Sequence, residues 1–499
     1  MLKIIASEVA KLDSNVYTGG GTDDTDALQK VLDMAPEHGG VHLVMDGAAL
    51  VRGLKLHSNT TIECVNSDCG FYMADNANRP ILSNYNWNIL EITTYNIALI
   101  GGTYNHNCAH QVHHLSMEEF PFPPRPESDG VYDEHLIYLM EFYGVENFSA
   151  RDIHYRNQRC YTLTLGNFRN ALVENCCVDV GDQIMGHQDG FHFFGPGKFL
   201  TMRNLRGATG DDFINISADE MDGISPITDV LIDGVTFDDT YQGIRMLSRG
   251  TGRIDRVTLR NIRGNYRTFA FSIIPCYHGD TFGNFGDIFI ENVDVRQIES
   301  TYNYSQLTFM QLGGNVDCFT LKNVRFRNPV RSSVFIELGR PYFYRPEELT
   351  REEAEKYNIY DFDFYTKNRD WMPEGKRPFI KNFVLDNVIF ESDSKADRMD
   401  IIEAKYNIGN LTLSNVKYLR FGDASAHASM VKLAKEANIS RLFVENVYAE
   451  KLESIVSGTG EHNIDVLVAN NVTLKDGKKA FDTEDVRVGT VLANAINEI

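Results

Sequence analysis

A short phrase recurs along most of this 499-residue chain, and its period constrains the fold more than any other feature of the sequence. Each copy has a few β-forming residues, an Asn, a branched or large apolar residue and then more β-formers. Successive copies are 23 to 31 residues apart, except for one interval of 64 residues between Asn323 and Asn387, which indicates two coils or one long insertion. Asp152 and Gly234 occupy the Asn place in two weaker copies. The Asn copies lie at Asn175, Asn204, Asn261, Asn292, Asn323, Asn387, Asn415, Asn446 and Asn471.

A fixed period of this size indicates a repeat architecture, in which each unit packs only against its neighbours. The copies alternate with a period of two and are rich in Val, Ile, Thr and Phe, as β-strands are. Most of them are not separated by a helical pattern, which argues against βαβ units. The sequence therefore predicts an all-β solenoid, a right-handed parallel β-helix, with Asn at a left-handed turn and stacked Asn side chains in a ladder. The alternative is an ordinary β-sandwich, whose strands recur more tightly, about every 8–12 residues.

The repeat extends through the chain, so we expect one domain over residues 1–499. Residues 1–60 are expected to hold an N-terminal cap and the first coils, because TDDTDALQKVLDMAPEHGG has a capping residue and helical spacing of its apolar residues. The charged stretch within 345–372 predicts a helical surface insertion, and 424–438 predicts another short helix.

The charge of the chain limits its partners. There are 48 Lys and Arg against 69 Asp and Glu, which gives a formal net charge of −21. Nucleic acids and anionic membranes bind clustered Lys and Arg, so neither is expected as a partner. The N-terminal MLKIIASEVAKLD has no long apolar core and no small-residue cleavage site. This predicts a cytoplasmic protein, or a secreted one whose signal segment has been removed.

Metal and cofactor sites are not expected. The eight cysteines show no paired CxxC spacing, which argues against zinc and favours buried free thiols. The stretch NHNCAHQVHH has four histidines at a spacing that could hold a metal, or it forms a solvated loop. No acidic residue lies in register with these histidines, which favours the loop. We therefore predict no cofactor and no metal.

Three acidic residues are candidates for chemistry because the repeat brings them together. Asp189 and Asp211 are 22 residues apart, about one coil, and Asp212 follows directly. Residues one coil apart stack at roughly 4.8 Å, the spacing of strands in a sheet. Three carboxylates so close cannot all stay comfortably ionised, so at least one is expected to hold a proton. Because strand alternation would send Asp211 and Asp212 to opposite faces, we also expect a backbone bend at Gly210.

Such a group of carboxylates suits a glycosidase, which needs a protonated acid for the leaving oxygen and an ionised base for water. Two alternatives stay open at this point. The three residues could bind Ca²⁺ in a lyase-like protein, or they could only stabilise turns.

Two segments resemble known families. GGGTDDTDALQKVLDMAPEHGG resembles the opening of pectate-lyase-like β-helix proteins, and about residues 145–265 are similar to the core of glycoside hydrolase family 28, the polygalacturonase family. That family has an Asn-Thr-Asp-Gly motif and, one coil later, a Gly-Asp-Asp motif, which correspond here to HQDG at 187–190 and GDD at 210–212. The resemblance implies a hydrolase that acts, with inversion, on a pectin-related or other acidic or plant polysaccharide or oligosaccharide. It also implies that Asp211 is the general acid and that Asp189 and Asp212 hold and activate water.

The chain departs from the family where the family binds sugar. Gln242 stands at the place of a motif His, Arg245 replaces a small residue, and the Arg-Ile-Lys motif that binds the galacturonate carboxylate has no counterpart. Arg245 is a candidate relocated anchor for a carboxylate or hydroxyl, or it forms a surface salt bridge. His187 and His192 flank Asp189, and each is a candidate for the missing His or has a structural role. These four residues, His187, His192, Gln242 and Arg245, are the predicted substrate-binding residues.

Two other functions stay open on the same fold. A polysaccharide lyase or epimerase would need Ca²⁺ or a basic residue to neutralise the uronate, and an Arg or Lys base. A non-catalytic carbohydrate-binding or receptor-binding β-helix would need no acid pair.

Overall fold

The fold is a right-handed parallel β-helix, as the repeat predicts. The chain divides into two compact units, Met1–Thr240 and Tyr241–Ile499. One domain over the whole chain stays a prediction. The computed structural model describes residues 1–112, 114–116, 134–181, 186–218, 225–248, 252–275, 283–299, 307–328, 334–338, 378–392, 400–421, 428–434, 437–458, 460–482 and 484–499.

The first unit begins with a capping region, as predicted. Helix α1, Thr25–Leu32, buries Leu28, Val31 and Leu32 and packs on β2 and β4 of the unit. Among its described residues, the strands pair in parallel apart from the antiparallel pair β10–β11. The helices are Ala6–Glu8 (3₁₀), α1 Thr25–Leu32, α2 Ala35–His38 and Cys108–His110 (3₁₀). The strands are β1 Leu2–Ile5, β2 Val41–Met45, β3 Ala48–Val51, β4 Leu54–Leu56, β5 Thr60–Cys64, β6 Gly70–Met73, β7 Leu82–Asn84, β8 Thr94–Ile100, β9 Thr103–Asn105, β10 His114–Ser116, β11 Glu134–Leu136, β12 Met140–Arg151, β13 His154–Arg156, β14 Leu163–Glu174, β15 Cys177–Asp179, β16 Phe191–Ala208, β17 Asp212–Ser217 and β18 Ile227–Thr240.

The second unit consists of parallel strands in its described part. They are β19 Gln242–Ser248, β20 Ile254–Tyr266, β21 Phe271–Pro275, β22 Asn284–Gln297, β23 Met310–Leu312, β24 Asn315–Asn328, β25 Val334–Leu338, β26 Phe379–Ser392, β27 Asp400–Ala404, β28 Asn407–Arg420, β29 Ser429–Leu433, β30 Ile439–Glu450, β31 Ser454–Gly458, β32 His462–Lys475 and β33 Val486–Glu498.

The repeated Asn residues occupy left-handed turns in both units, which confirms the interpretation of the repeat. The nine Asn copies have φ between 51° and 60°, and the weaker copies Asp152 and Gly234 have φ of 61° and 86°. The side chains form the expected ladder from coil to coil. Asn204 Nδ2 donates to Asn175 Oδ1 at 3.0 Å in the first unit, and Asn471 Nδ2 donates to Asn446 Oδ1 at 2.9 Å in the second.

The interval of 64 residues is one long insertion between consecutive coils. β24 pairs directly with β26, with Val324 opposite Val388. Asn387 Nδ2 also donates to Asn323 Oδ1 at 2.9 Å, so no coil separates these two ladder members. The helix predicted within 345–372 lies outside the described residues.

The helix predicted over 424–438 is wrong in the part of that segment that the structure describes. Ser429–Leu433 is strand β29, which pairs in parallel with β27 and β31. Met430, Val431 and Leu433 are buried. Backbone pairing along both edges, together with this burial, overrides the local helical spacing of the apolar residues.

Four strands of the first unit carry a row of polar side chains on one face. Phe191 and Phe193 of β16 lie in register with Ile214 and Ile216 of β17, and all four side chains are buried. The residues between them alternate to the other face, and Glu141, Thr164, His192 and Asn215 stack there in register on β12, β14, β16 and β17. We call these four residues the polar row. All four are buried, so each needs hydrogen-bonding or charged neighbours.

The described cysteines are free, as predicted, and five of them are buried: Cys64, Cys69, Cys108, Cys160 and Cys176. Cys177 and Cys318 are partly exposed, and Cys276 lies outside the described residues.

Candidate active site

The turn before β16 and the turn before β17 lie next to each other on successive coils. Thr162 N donates to Asp189 O, and Gly190 N donates to Asp212 O, both at 2.9 Å. A Cβ at Gly190 would lie 2.5 Å from the Phe213 carbonyl oxygen, so the coils approach too closely for a side chain there. The close approach of the two coils therefore explains why glycine follows Asp189 in the sequence motif.

The structure brings the three predicted acids together. One carboxylate oxygen from each of Asp189, Asp211 and Asp212 lies within 4.8 Å of the other two. Asp189 and Asp212 are 2 % and 3 % exposed, whereas Asp211 is partly exposed. Asp211 lies in the turn that precedes β17 and Asp212 is the first residue of the strand. Strand alternation therefore does not separate the two side chains, and the expected departure from regular strand at Gly210 is present.

Two of the three carboxylates are bonded to a side chain three residues further along. His192 Nδ1 lies 2.7 Å from Asp189 Oδ2. Asn215 Nδ2 donates to Asp212 Oδ2 at 2.9 Å, and Asn215 Oδ1 in turn accepts from Ser217 Oγ at 2.7 Å. His192 and Asn215 belong to the polar row and are register partners, so the same arrangement occurs on two neighbouring coils.

The backbone next to Asp211 is also fixed. Thr209 Oγ1 donates to the Asp211 carbonyl oxygen at 2.8 Å. The Thr209 and Thr240 hydroxyls lie 2.6 Å apart. This turn is therefore held by hydroxyl groups, while the Asp211 side chain stays partly accessible.

An aromatic column holds the His192 ring. Tyr161 stacks on the imidazole with ring centres 4.0 Å apart and an angle of 14°, and Tyr138 stacks on Tyr161 at 4.7 Å and 4°. The Phe194 ring also contacts the imidazole, with ring centres 4.4 Å apart and a tilt of 40°. The ring is thereby restricted to one plane that directs Nδ1 at Asp189.

Cys160 is close enough to the acids to be influenced by their charges, but its thiol is kept neutral. Burial raises the pKa of its thiol well above the usual range, and the Asp189 and Asp211 charges raise it further. A thiol attacks as its thiolate, so Cys160 is unsuited to covalent catalysis.

The predicted substrate-binding residues lie in different settings. His187 is exposed, with a left-handed backbone at φ 60°. His192 is 1 % exposed and contacts Asp189. Gln242 and Arg245 belong to the second unit, where the Arg245 guanidinium donates to Gln242 Oε1 and lies 5.1 Å from the centre of the Phe269 ring. Arg245 is 5 % exposed, which excludes the alternative of a surface salt bridge.

The histidines of NHNCAHQVHH do not converge where they are described. Arg159 N donates to His106 Nδ1 at 3.1 Å, and His106 Nε2 donates to the Arg79 carbonyl oxygen at 3.0 Å. His110 instead lies beside Asn107 and Asp75. The side chains of His113 and His114 lie outside the described residues. In the described part of the chain, the three Asp residues form the group of His, Cys, Asp or Glu side chains that is close enough to hold a metal ion.

Sequence reasoning missed Asn215, Tyr161 and the polar row. A signal for Asn215 was present, because DGFH at 189–192 and DFIN at 212–215 repeat an acid followed three residues later by a possible donor. Tyr161 had no such signal, since its contact with His192 arises from the stacking of coils.

These features define a right-handed parallel β-helix with an acidic site on two neighbouring coils. Among solved structures, the chain is similar to a family 28 exopolygalacturonase from Yersinia enterocolitica, with 13 % identity, a TM-score of 0.51 and coverage of 99 % of this chain and 78 % of that one. It is also similar to an endo-xylogalacturonan hydrolase from Aspergillus tubingensis, with 11 % identity, a TM-score of 0.45 and coverage of 82 % and 92 %. A third similar structure is PfbA, a surface adhesin of Streptococcus pneumoniae, with 12 % identity, a TM-score of 0.44 and coverage of 96 % and 91 %. The likeness to the exopolygalacturonase, at a TM-score of 0.51 and 13 % identity, shows the fold alone.

No protein-family model and no curated protein matches the sequence. Within the described residues, no helix has both the length and the apolar character needed to cross a membrane.

Proposed function

We propose that this protein is a glycoside hydrolase that cleaves a pectin-related or other acidic or plant polysaccharide or oligosaccharide. The observation that carries the proposal is the convergence of Asp189, Asp211 and Asp212 within 4.8 Å. Hydrolysis of a glycosidic bond needs one carboxyl group that gives a proton and at least one carboxylate that activates water. A cluster of three carboxyl groups in partial burial supplies both, because such a cluster holds a proton readily.

The hydrogen bonds support a division of roles. Asp189 lies beside the His192 imidazole and Asp212 accepts from Asn215, so neighbouring side chains hold both carboxylates in place. These two residues are assigned to hold and activate the water molecule. Asp211 is assigned as the general acid, because it is the most exposed of the three and lies beside two carboxylates whose charge favours its protonated form.

The separation of the acids bears on the position of the water. Acid and base lie about 6.5–9.5 Å apart in inverting glycosidases and about 5–5.5 Å apart in retaining ones. Here one carboxylate oxygen from each of the three groups lies within 4.8 Å of the other two, a separation below both ranges. The assignment of the water molecule to Asp189 and Asp212 therefore rests on their hydrogen-bonding partners and not on this distance. The resemblance to family 28 favours inversion, and the anomeric form of the first product, observed by proton NMR, decides it.

The substrate class rests on the resemblance and on charge. With a net charge of −21, the chain repels polyanions in general, so an acidic polysaccharide has to be recognised by local donors. The assignments of His187, Gln242 and Arg245 to substrate binding stay predictions.

The test is a screen of plant and bacterial polysaccharides with analysis of reducing ends and products, run beside Asp211→Asn. We expect the wild-type protein to release saturated sugar products and Asp211→Asn to lose at least about 100-fold in kcat while its thermal unfolding is unchanged, since general acid catalysis contributes about 10²–10⁴-fold. Asp152→Asn is the matched control. It removes the same charge in the same unit, and Asn already occupies the equivalent place in the other ladder turns.

Three outcomes would contradict the proposal. Unsaturated products that absorb ultraviolet light would indicate a lyase. Binding without any product across the screen would indicate a non-catalytic β-helix. Full activity in Asp211→Asn would remove this residue from the acid role.

A further inference from the structure

We propose that His192 is not a substrate-binding residue but the positioning residue of Asp189, which it holds in the correct orientation toward the water molecule. This inference rests on the proposed function for its consequence on activity, but the contact between the two side chains can be tested without any substrate.

The His192 ring is hardly accessible to a substrate. His192 is 1 % exposed, and Tyr161 and Phe194 lie against its ring at 4.0 and 4.4 Å. At this exposure the imidazole offers almost no surface to a sugar hydroxyl. Its role has to pass through a protein neighbour, and Asp189 Oδ2 is 2.7 Å from Nδ1.

The next coil repeats the contact between an acid and the side chain three residues after it. His192 and Asn215 are register partners, and each bonds to the acid three residues before it. An amide nitrogen can only donate, so Asn215 presents a donor to Asp212. The equivalent place on the preceding coil calls for the same function, and the imidazole Nδ1–H supplies it to Asp189.

Stacked aromatic rings fix the orientation of the His192 side chain. Tyr138 and Tyr161 form a stack with the imidazole, at angles of 4° and 14° between neighbouring rings. A histidine side chain free to rotate would donate to Asp189 only part of the time. The stack fixes the ring plane, and this fixes the carboxylate, since a buried charge-assisted hydrogen bond is strongly directional.

The activity test compares two substitutions. His192→Phe keeps a flat ring against Tyr161 but has no donor, whereas His192→Asn restores the amide donor that Asn215 supplies on the next coil. We expect His192→Phe to lower kcat about 10- to 100-fold, the value of a hydrogen bond to a charged group, with KM changed less than about threefold. His192→Asn should recover most of this loss. His154→Phe, a partly exposed histidine in the same unit, is the matched control for His192→Phe.

The second test needs no substrate. In proton NMR, an imidazole N–H bonded to a buried carboxylate resonates far downfield, and its loss in His192→Asn assigns it. We expect this resonance to shift or vanish in Asp189→Asn, while the signals of the other histidines stay in place.

The two tests separate failure of this inference from failure of the proposed function. Equal losses of kcat in His192→Phe and His192→Asn, a tenfold rise in KM at unchanged kcat, or a resonance that is unaffected by Asp189→Asn would each overturn the positioning role. A protein that cleaves no polysaccharide but shows the coupled resonance would contradict the glycosidase proposal and leave the Asp189–His192 contact established.

Discussion

At the residue scale, the candidate site was largely predictable because its acids follow from the repeat. The coil period places Asp189 beside Asp211, and the structure confirms the approach of the three carboxylates. The burial of His192 could not be predicted, because Tyr161 is 31 residues away in sequence and reaches the imidazole only through the stacking of coils. His192, predicted to bind substrate, lies 2.7 Å from Asp189 Oδ2 in the structure, and its positioning role is our proposal.

The buried side chain of His106 is expected to make the stability of the protein depend on pH. Its Nδ1 accepts from a backbone N–H and its Nε2 donates to a carbonyl oxygen, so the buried ring is bonded only in its neutral form. Burial lowers the pKa of His106 from 6.5 to about 4. The folded state therefore binds the proton less readily than the unfolded state does. The contribution to stability is complete above about pH 6.5 and is lost as the pH falls toward 4, and it amounts to about 3 kcal/mol at most.

His106→Gln should accordingly flatten the dependence of unfolding free energy on pH between about 6.5 and 4, even if it lowers stability at pH 7. Urea unfolding at a series of pH values measures this. The exposed His38, substituted in the same way, is the control and should leave the slope unchanged. An unchanged slope in His106→Gln would show that this ring is not the group that resists protonation.

At the element scale, the repeat predicted turns better than it predicted helices. The Asn phrase marks a backbone conformation that few residues adopt, so each copy identified a left-handed turn. The segment at 424–438 gave no comparable local constraint. Its apolar spacing is compatible with a helix, but Ser429–Leu433 lies between β27 and β31 and completes a sheet instead. This segment is a strand because it pairs with strands far away in sequence, and the local spacing of apolar residues carries no information about those partners.

The Asn ladder predicts how a single turn contributes to stability. Asn323 has φ 53°, donates to Asn292 Oδ1 at 3.1 Å and accepts from Asn387 Nδ2 at 2.9 Å. Asn323→Ala removes both bonds and places a Cβ-bearing residue without a local hydrogen bond in the left-handed region. We expect a loss of about 2 kcal/mol in unfolding free energy, and about 1 kcal/mol less for Asn323→Gly, which adopts this conformation freely.

Urea unfolding of the two variants provides the comparison. Asn497→Ala is the control, because Asn497 is exposed on β33 and is not among the residues with positive φ, so its substitution should change stability by less than about 0.5 kcal/mol. If Asn323→Gly lowered the unfolding free energy as much as Asn323→Ala, the left-handed backbone conformation would not contribute to the loss.

At the scale of the whole molecule, the solenoid explains how a 499-residue chain can be predicted from a period. Each coil depends on its neighbours, so the repeat length, the strand pattern and the turn residue suffice to define the architecture. The insertions and the division into Met1–Thr240 and Tyr241–Ile499 do not follow from the period, since they depend on how contacts are distributed along the coils.

The prediction of one domain over the whole chain can be tested with the two tryptophans. Trp87 lies in the first unit and packs edge-on against Tyr143 at 4.4 Å, so its fluorescence reports the unfolding of that unit. Trp371 lies outside the described residues, and Trp371→Phe leaves Trp87 as the single reporter. Circular dichroism follows the strands of both units.

Strong coupling between neighbouring coils makes a solenoid unfold in one cooperative step, so we expect the same Tm from fluorescence and from circular dichroism. The Trp87→Phe variant, which keeps only Trp371, is the control for the contribution of Trp371 to the fluorescence. A Trp87 transition clearly separated from that of circular dichroism would show that the two units unfold as separate domains.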